Sequence, residues 1–196
     1  SNSVQKRNDE NNGIIYFSAD NGNTWKNASS GIPQNVRVGL GGVAASDKSL
    51  GLATKEYGVF IYNMKDSIWV NIPTAQQLID GNIGSLIFYK NTIYAGSQHN
   101  GIFCSNDNGK TWIVQNAGLH NLTIRRFFEF GNTLYVCTND GFYSLNEKVN
   151  SWNIEYGEPA LQVNGAAVFK GSIYIAANKG VYKKESDKKW KNILKR

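Results

Sequence analysis

All five tryptophans of this 196-residue chain occupy the same position of a repeat. They are Trp25, Trp69, Trp112, Trp152 and Trp190, separated by 44, 43, 40 and 38 residues. About ten residues before each stands a glycine followed by an apolar-aromatic run. These runs are Gly13-Ile14-Ile15-Tyr16, Gly58-Val59-Phe60, Gly101-Ile102-Phe103, Gly141-Phe142-Tyr143 and Gly180-Val181-Tyr182. A period near 40 with a regular aromatic is the mark of small four-stranded sheets arranged radially, the blades of a β-propeller. The spacing therefore predicts an all-β chain of about five blades.

Within a period the pattern reads as four short strands. The first two form hairpins in 83–88 with 92–96, in 124–130 with 133–137 and in 163–169 with 172–176. Their turns, Lys90-Asn91, Gly131-Asn132 and Lys170-Gly171, favour residues that tolerate positive φ. An earlier hairpin joins 36–44 to 50–54. The strands are rich in Ile, Val, Tyr and Phe, and no helical periodicity survives more than a turn, so helix should be close to absent.

Four periods carry all four strands, whereas the first carries only strands three and four, 13–17 and 25–28. Residues 1–12 are too polar for a strand pair and read as a flexible N-terminal arm, leaving 13–196 as one domain. A propeller usually closes by sharing a blade between its termini, because an unpaired edge invites aggregation. Here the strands do not add up to a shared blade. A five-bladed ring with one reduced blade, a piece of a longer propeller, and an edge completed by another chain are the three alternatives.

The phrase Ser18-Ala19-Asp20-Asn21-Gly22-Asn23-Thr24-Trp25 recurs as Ser105-Asn106-Asp107-Asn108-Gly109-Lys110-Thr111-Trp112. Both read S-x-D-x-G-x-T-W. In a hairpin between strands three and four, the Asp20 or Asp107 carboxylate accepts turn amides, and Gly22 or Gly109 takes a backbone shape that a Cβ penalises. Ser18, Thr24, Ser105 and Thr111 add short hydroxyl bonds, and Trp25 and Trp112 are expected to pack between neighbouring sheets. A calcium loop is the weaker reading, since no glutamate follows at coordinating distance. The phrase resembles the Asp-box, or BNR, signature. The linkers Asn116-Ala117-Gly118-Leu119-His120-Asn121-Leu122-Thr123-Ile124-Arg125 and Ser29-Ser30-Gly31-Ile32-Pro33, with Thr133-Leu134-Tyr135-Val136, extend that resemblance. It points to the superfamily of sialidase-like, sortilin-like and photosystem II stability/assembly factor-like propellers, and covers 13–196. The resemblance implies the fold and places the boxes on the rim opposite the usual ligand face. It implies no activity, since members include glycosidases, sorting receptors and assembly factors.

Composition sets outer bounds. The chain is 41% hydrophobic with no apolar stretch approaching a membrane span. A polar N-terminus suits a mature exported chain (periplasmic, cell-surface or secreted). Cys104 and Cys137 fall at unequal repeat positions and read as two buried thiols, not a disulfide. Net charge is +6, with much of the excess in the last period, where Lys179, Lys183, Lys184, Lys188, Lys189, Lys191, Lys195 and Arg196 read as a solvated edge. Aromatics do not interleave with that run as nucleic-acid stacking requires.

A ligand face would be built from the loops joining strand two to three and strand four to the next strand one. These offer Arg37, Glu56, Tyr57, Gln98, His99, His120, Arg125, Asn139 and Asp140. A sialidase-type site needs three converging arginines and paired carboxylates. Arg125 and Arg126 are adjacent on a strand and should point apart, leaving at most two of Arg37, Arg125 and Arg126 to converge. Glu56, Asp80, Asp140 and Glu158 are the only carboxylates available to such a site, and no two are marked as a pair. His99 and His120 lack the acidic companions of a metal site, and no cofactor motif occurs. Differing loops in each period argue against repeated sugar sites. The expectation is a non-catalytic propeller contacting another protein, within a larger assembly, with a glycan-binding or sialidase-type propeller as the alternative.

Overall fold

A computed structural model describes residues 14–80 and 82–195. β1 (Tyr16–Phe17) and β2 (Lys26–Asn27) pair as a two-stranded sheet. Four antiparallel meanders follow. The first comprises β3 (Val38–Ala45), β4 (Leu50–Thr54), β5 (Gly58–Asn63) and β6 (Ile68–Asn71). After the short helix α1 (Gln76–Asp80) come β7 (Ile83–Tyr89), β8 (Thr92–Ser97), β9 (Ile102–Ser105) and β10 (Ile113–Val114). The third comprises β11 (Ile124–Phe130), β12 (Thr133–Thr138), β13 (Gly141–Asn146) and β14 (Ser151–Gly157). The last comprises β15 (Val163–Phe169), β16 (Ser172–Ala177), β17 (Gly180–Ser186) and β18 (Lys189–Lys195). The first strands β3, β7, β11 and β15 lie side by side in that order, as a propeller requires. A parallel bridge from Gly41 to Ser85 even joins β3 to β7.

Turn chemistry sets the hairpins. Gly131 and Asn132 both have positive φ, as do Lys170 and Gly171, the combination that matches strand twist in two-residue loops. Helix is close to absent, as expected, with α1 the one short segment among the described residues. It inserts the fully buried Leu78 into the core between the second and third sheets. Of the expected strand 13–17, the described part from residue 14 is strand only at Tyr16–Phe17; residue 13 and the expected arm of residues 1–12 lie outside the described residues.

Apolar cores lie between successive sheets. Leu52, Phe60 and Trp69 meet Ile15 and Ile32 at the first junction. Leu86, Ile93 and Phe103 meet Val59 and Leu78 at the second. Tyr94, Ile102 and Cys104 meet Phe127, Leu134 and Trp152 at the third, and Tyr135 and Phe142 meet Ile173, Ile175 and Tyr182 at the fourth. Among the described residues no core joins the last sheet to the first.

The tryptophans make the same point by hydrogen bonding. Each indole N–H donates backward to a carbonyl of the preceding sheet or its exit. Trp69 reaches Ala28 O at 2.7 Å, Trp112 Pro73 O at 2.8 Å, Trp152 Gln115 O at 2.9 Å and Trp190 Glu155 O at 3.0 Å. The linkers reinforce the clasp. The Trp69 amide donates to Ser30 O and the Trp152 amide to Ala117 O, each at 2.8 Å. Trp25 is the exception. It bonds Gly22 O of its own turn at 3.0 Å and is 61% exposed. The expectation that its ring packs between sheets is therefore wrong: among the described residues no neighbouring sheet covers it. The described sheets form an open arc, not a closed five-bladed ring.

The two S-x-D-x-G-x-T-W turns fold alike. Asp20 Oδ1 accepts the Thr24 amide at 2.8 Å, and Asp107 Oδ1 accepts the Thr111 amide at 2.9 Å. The threonine hydroxyls donate to the second carboxylate oxygens at 2.6 Å, and Ser18 and Ser105 Oγ accept the Gly22 and Gly109 amides at 2.8 Å. The threonine hydroxyl, its amide and the serine hydroxyl together hold each carboxyl down at about 2.

Candidate binding site at the axial mouth

The site arises from one irregularity repeated in every first strand. Gly84 is an extra residue between the pairs Ile83–Ser97 and Ser85–Gly96. Arg125 is the extra residue between Ile124–Thr138 and Arg126–Cys137, and Asn164 between Val163–Ala177 and Gly165–Ala176. In β3 the bulge swells to Gly39–Gly42, set between Val38–Thr54 and Val43–Leu52. A bulge residue leaves the ladder and re-aims its side chain. Glycine is required at the tightest approach: a Cβ on Gly39 would lie 2.3 Å from Gly84 O.

Bulge residues and the first residues after strand two enclose a cavity of about 440 Å³. Its walls include Leu40, Gly84 and Arg125 from the bulges, and Lys55, Gln98, His99 and Asn139 from the loops. Arg125 Nε donates to Asn139 Oδ1 at 2.6 Å, which fixes the guanidinium at the mouth. Lys55, His99 and Arg125 all reach this space, and no carboxylate lines it. Arg125 makes no ion pair among the described residues. The arrangement can hold an anionic group against oriented donors, with amide side chains beside it.

Gln98, His99, Arg125 and Asn139 converge on this cavity; the other five candidates do not line it. Arg37 and Glu56 engage each other through the guanidinium, and the Arg37 amide also donates to Glu56 Oε2 at 3.0 Å. Burial alone would raise the Glu56 carboxyl, but the Arg37 amide and charge hold it below its ordinary value. Asp140 Oδ2 accepts the Tyr143 hydroxyl at 2.9 Å, and the Thr138 hydroxyl sits 2.6 Å from Oδ1, so Asp140 secures a turn. His120 rests edge-on against Tyr143, with ring centroids 6.0 Å apart. Tyr57 is half-exposed, its amide donating to Thr54 Oγ1 at 3.1 Å.

Arg125 and Arg126 serve different spaces, so the two do not converge. Arg125 lines the mouth, while Arg126 lines the adjoining cavity and its Nη2 donates to Leu40 O at 2.7 Å, tying β11 to β3. The sequence reading missed Leu40, which is 93% exposed, and the glycine run Gly39–Gly42 was the signal available for it.

The four carboxylates considered for glycoside chemistry are engaged separately. Glu56 meets Arg37, Asp80 accepts Gln76 Nε2 at 2.8 Å, and Glu158 accepts the Tyr182 hydroxyl at 3.0 Å. Asp140 is engaged as described above. Among the described residues no three His, Cys, Asp or Glu side chains cluster as a metal site. Among the described residues no helix is long and apolar enough to cross a membrane.

No family model and no curated protein matches the chain. Solved structures do. The extracellular domain of the putative hybrid two-component system BT4673 from B. thetaiotaomicron aligns with TM-score 0.69 at 17% identity, over 84% of this chain and 22% of that one. YCF48 bound to D1 peptide aligns with TM-score 0.66 at 13% identity, over 89% and 59%. PorZ, a surface component of the type-IX secretion system of Porphyromonas gingivalis, aligns with TM-score 0.62 at 15% identity, over 93% and 30%. The chain spans less than a quarter of the BT4673 domain and less than two thirds of the other two. At these identities the likeness establishes the β-propeller-like fold.

Proposed function

We propose that this chain is a non-catalytic protein-interaction propeller of the Asp-box type, exported or displayed at a cell surface, with residues 13–196 acting as one unit. Its axial mouth takes an acidic segment or terminal carboxylate of a partner polypeptide. The observation that carries this reading is the mouth itself, where Lys55, His99 and Arg125 gather with no carboxylate among the lining residues. Unneutralised donors on a rigid scaffold suit an anionic ligand better than a neutral one. The company of similar folds is consistent with it: an extracellular domain of a putative two-component system, a surface component of a secretion system, and YCF48 with a bound peptide. Separate engagement of Glu56, Asp80, Asp140 and Glu158 speaks against the glycosidase alternative.

Fluorescence anisotropy with labelled acidic peptides tests the reading. Binding should fall about tenfold or more in Arg125→Ala, since a hydrogen bond to a charged group is lost. It should weaken further with Lys55→Ala and with rising salt. Equal binding by both variants, or equal binding of a neutral peptide of the same length, would refute it.

A further inference from the structure

We propose, resting on the reading of the mouth above, that the axial site recognises the last residue of a partner polypeptide. Its free terminal carboxylate sits at the mouth, and its aliphatic side chain enters a second cavity beneath. This trough of about 290 Å³ continues from the mouth along the same three inner strands. Val43 and Ala44 of β3, Leu86 and Ile87 of β7, and Phe127 of β11 wall it with carbon. No carboxylate lines it, and its one charged lining residue, Arg126, is tied to Leu40 O at 2.7 Å.

The two spaces meet within a single residue of chain. Leu40 lines both, Gly84 lines the mouth and Ser85 the trough, and Arg125 lines the mouth and Arg126 the trough. One residue of strand advances about 3.3 Å, so an anion held at Arg125 lies about that far from apolar space. An internal Asp or Glu does not match this spacing. In an extended segment the neighbouring side chain points to the opposite face, and the next on the same face lies about 7 Å away. A C-terminal aliphatic residue carries both groups on one Cα and satisfies both spaces at once.

Two further observations fit this occupant. Among the described residues the side chains of Lys55, Gln98 and His99 make no hydrogen bond, which leaves donors for the carboxylate and for the last peptide group. A Cβ on Gly84 would approach nothing closer than Gln98 Cγ at 3.8 Å, so packing does not demand glycine there. Its effect is to keep the passage between the two spaces open. Leu40, 93% exposed at their boundary, offers an apolar contact to whatever enters. A free amino acid fits worse, because its ammonium would stand beside Lys55 and Arg125.

Fluorescence anisotropy of the full chain with three labelled tetrapeptides tests the proposal. They are identical except for ending in a free leucine, a free glycine or a leucine amide. The leucine acid should bind about tenfold or more tighter than the glycine acid, the gain expected from burying one aliphatic side chain. Leu40→Asn should shrink that ratio with an unchanged circular dichroism spectrum, since the side chain is exposed. Gly84→Val, which narrows the passage, should shrink it as well. Arg125→Ala should weaken both acids by the same factor. Equal affinity for the two acids, with the dependence on Arg125 retained, overturns the proposal and leaves the anionic mouth standing. So does tighter binding of an amidated peptide with an internal aspartate, which makes the occupant an acidic segment. Hexanoate that displaces the leucine acid at equal concentration also overturns it, by assigning the site to a free fatty acid. Undiminished binding of the leucine amide, or no binding of any acidic peptide, sinks the reading of the mouth together with this proposal.

Discussion

Tryptophans at equivalent repeat positions should respond unequally to one substitution. Trp152→Phe removes an indole N–H from the buried Gln115 carbonyl, 2.9 Å away, in a side chain only 2% exposed. An orphaned buried acceptor costs about 1–3 kcal/mol. The smaller ring adds about 1 kcal/mol of lost apolar burial and residual cavity. The expected loss is therefore about 3 kcal/mol. With a urea dependence of about 3 kcal/mol per molar, that moves the midpoint down by about 1 M. Trp25→Phe breaks only an exposed bond within its own turn, and should stay within about 0.5 kcal/mol of the parent. Urea unfolding followed by far-ultraviolet circular dichroism measures both, with coincident probes confirming a two-state transition. Equal losses at the two sites would refute the reasoning, since Trp25 would then be clasped by a neighbour and the arc would be closed.

Three further outcomes follow from described contacts. Gly118→Ala should destabilise by about 3 kcal/mol, because the residue has φ +84° and its Cβ would stand 2.1 Å from Trp152 O; a thermal melt within a degree of the parent would contradict this. Asp20 and Asp107 are held at about 2 against the ordinary 3.8, so their contribution is full above pH 4 and is lost as pH falls toward 2. Asp20→Asn with Asp107→Asn should lower the urea midpoint at pH 7 and flatten its fall between pH 4 and 2; an unchanged slope would assign acid sensitivity elsewhere. Burial pushes the Cys104 and Cys137 thiols up, so neither should react with Ellman's reagent at pH 8 until the chain unfolds. Prompt reaction of one equivalent in the native state would count against the packing described.

The elements legible from sequence are those fixed by local rules. Gly131-Asn132 and Lys170-Gly171 name their own turns, and the tryptophan period counts the sheets. What stayed hidden depends on neighbours. α1 has five residues, too few for a periodic signal, and the burial of Leu78 anchors it in the core. The exposure of Trp25 reflects the lack of a covering sheet among the described residues, not its own segment, which matches that of Trp112 residue for residue at the signature positions. Half of the mouth was visible because the two-to-three loops place Gln98, His99 and Asn139 there by spacing alone. Glu56 and Asp140 looked equally available, and only tertiary contacts commit one to Arg37 and the other to Tyr143. The bulges are hardest to anticipate, since one inserted residue leaves the apolar alternation almost intact.

The ladder skips Gly84, Arg125 and Asn164, so none of the three is constrained by cross-strand pairing. A glycine, a cation and an amide already occupy equivalent places in three repeats without disturbing the strands around them. Exchanging residues at the two slots that line the mouth, Gly84 and Arg125, should therefore retune what it prefers while leaving folding almost untouched. Recognition and architecture are separable here at the resolution of one residue per blade.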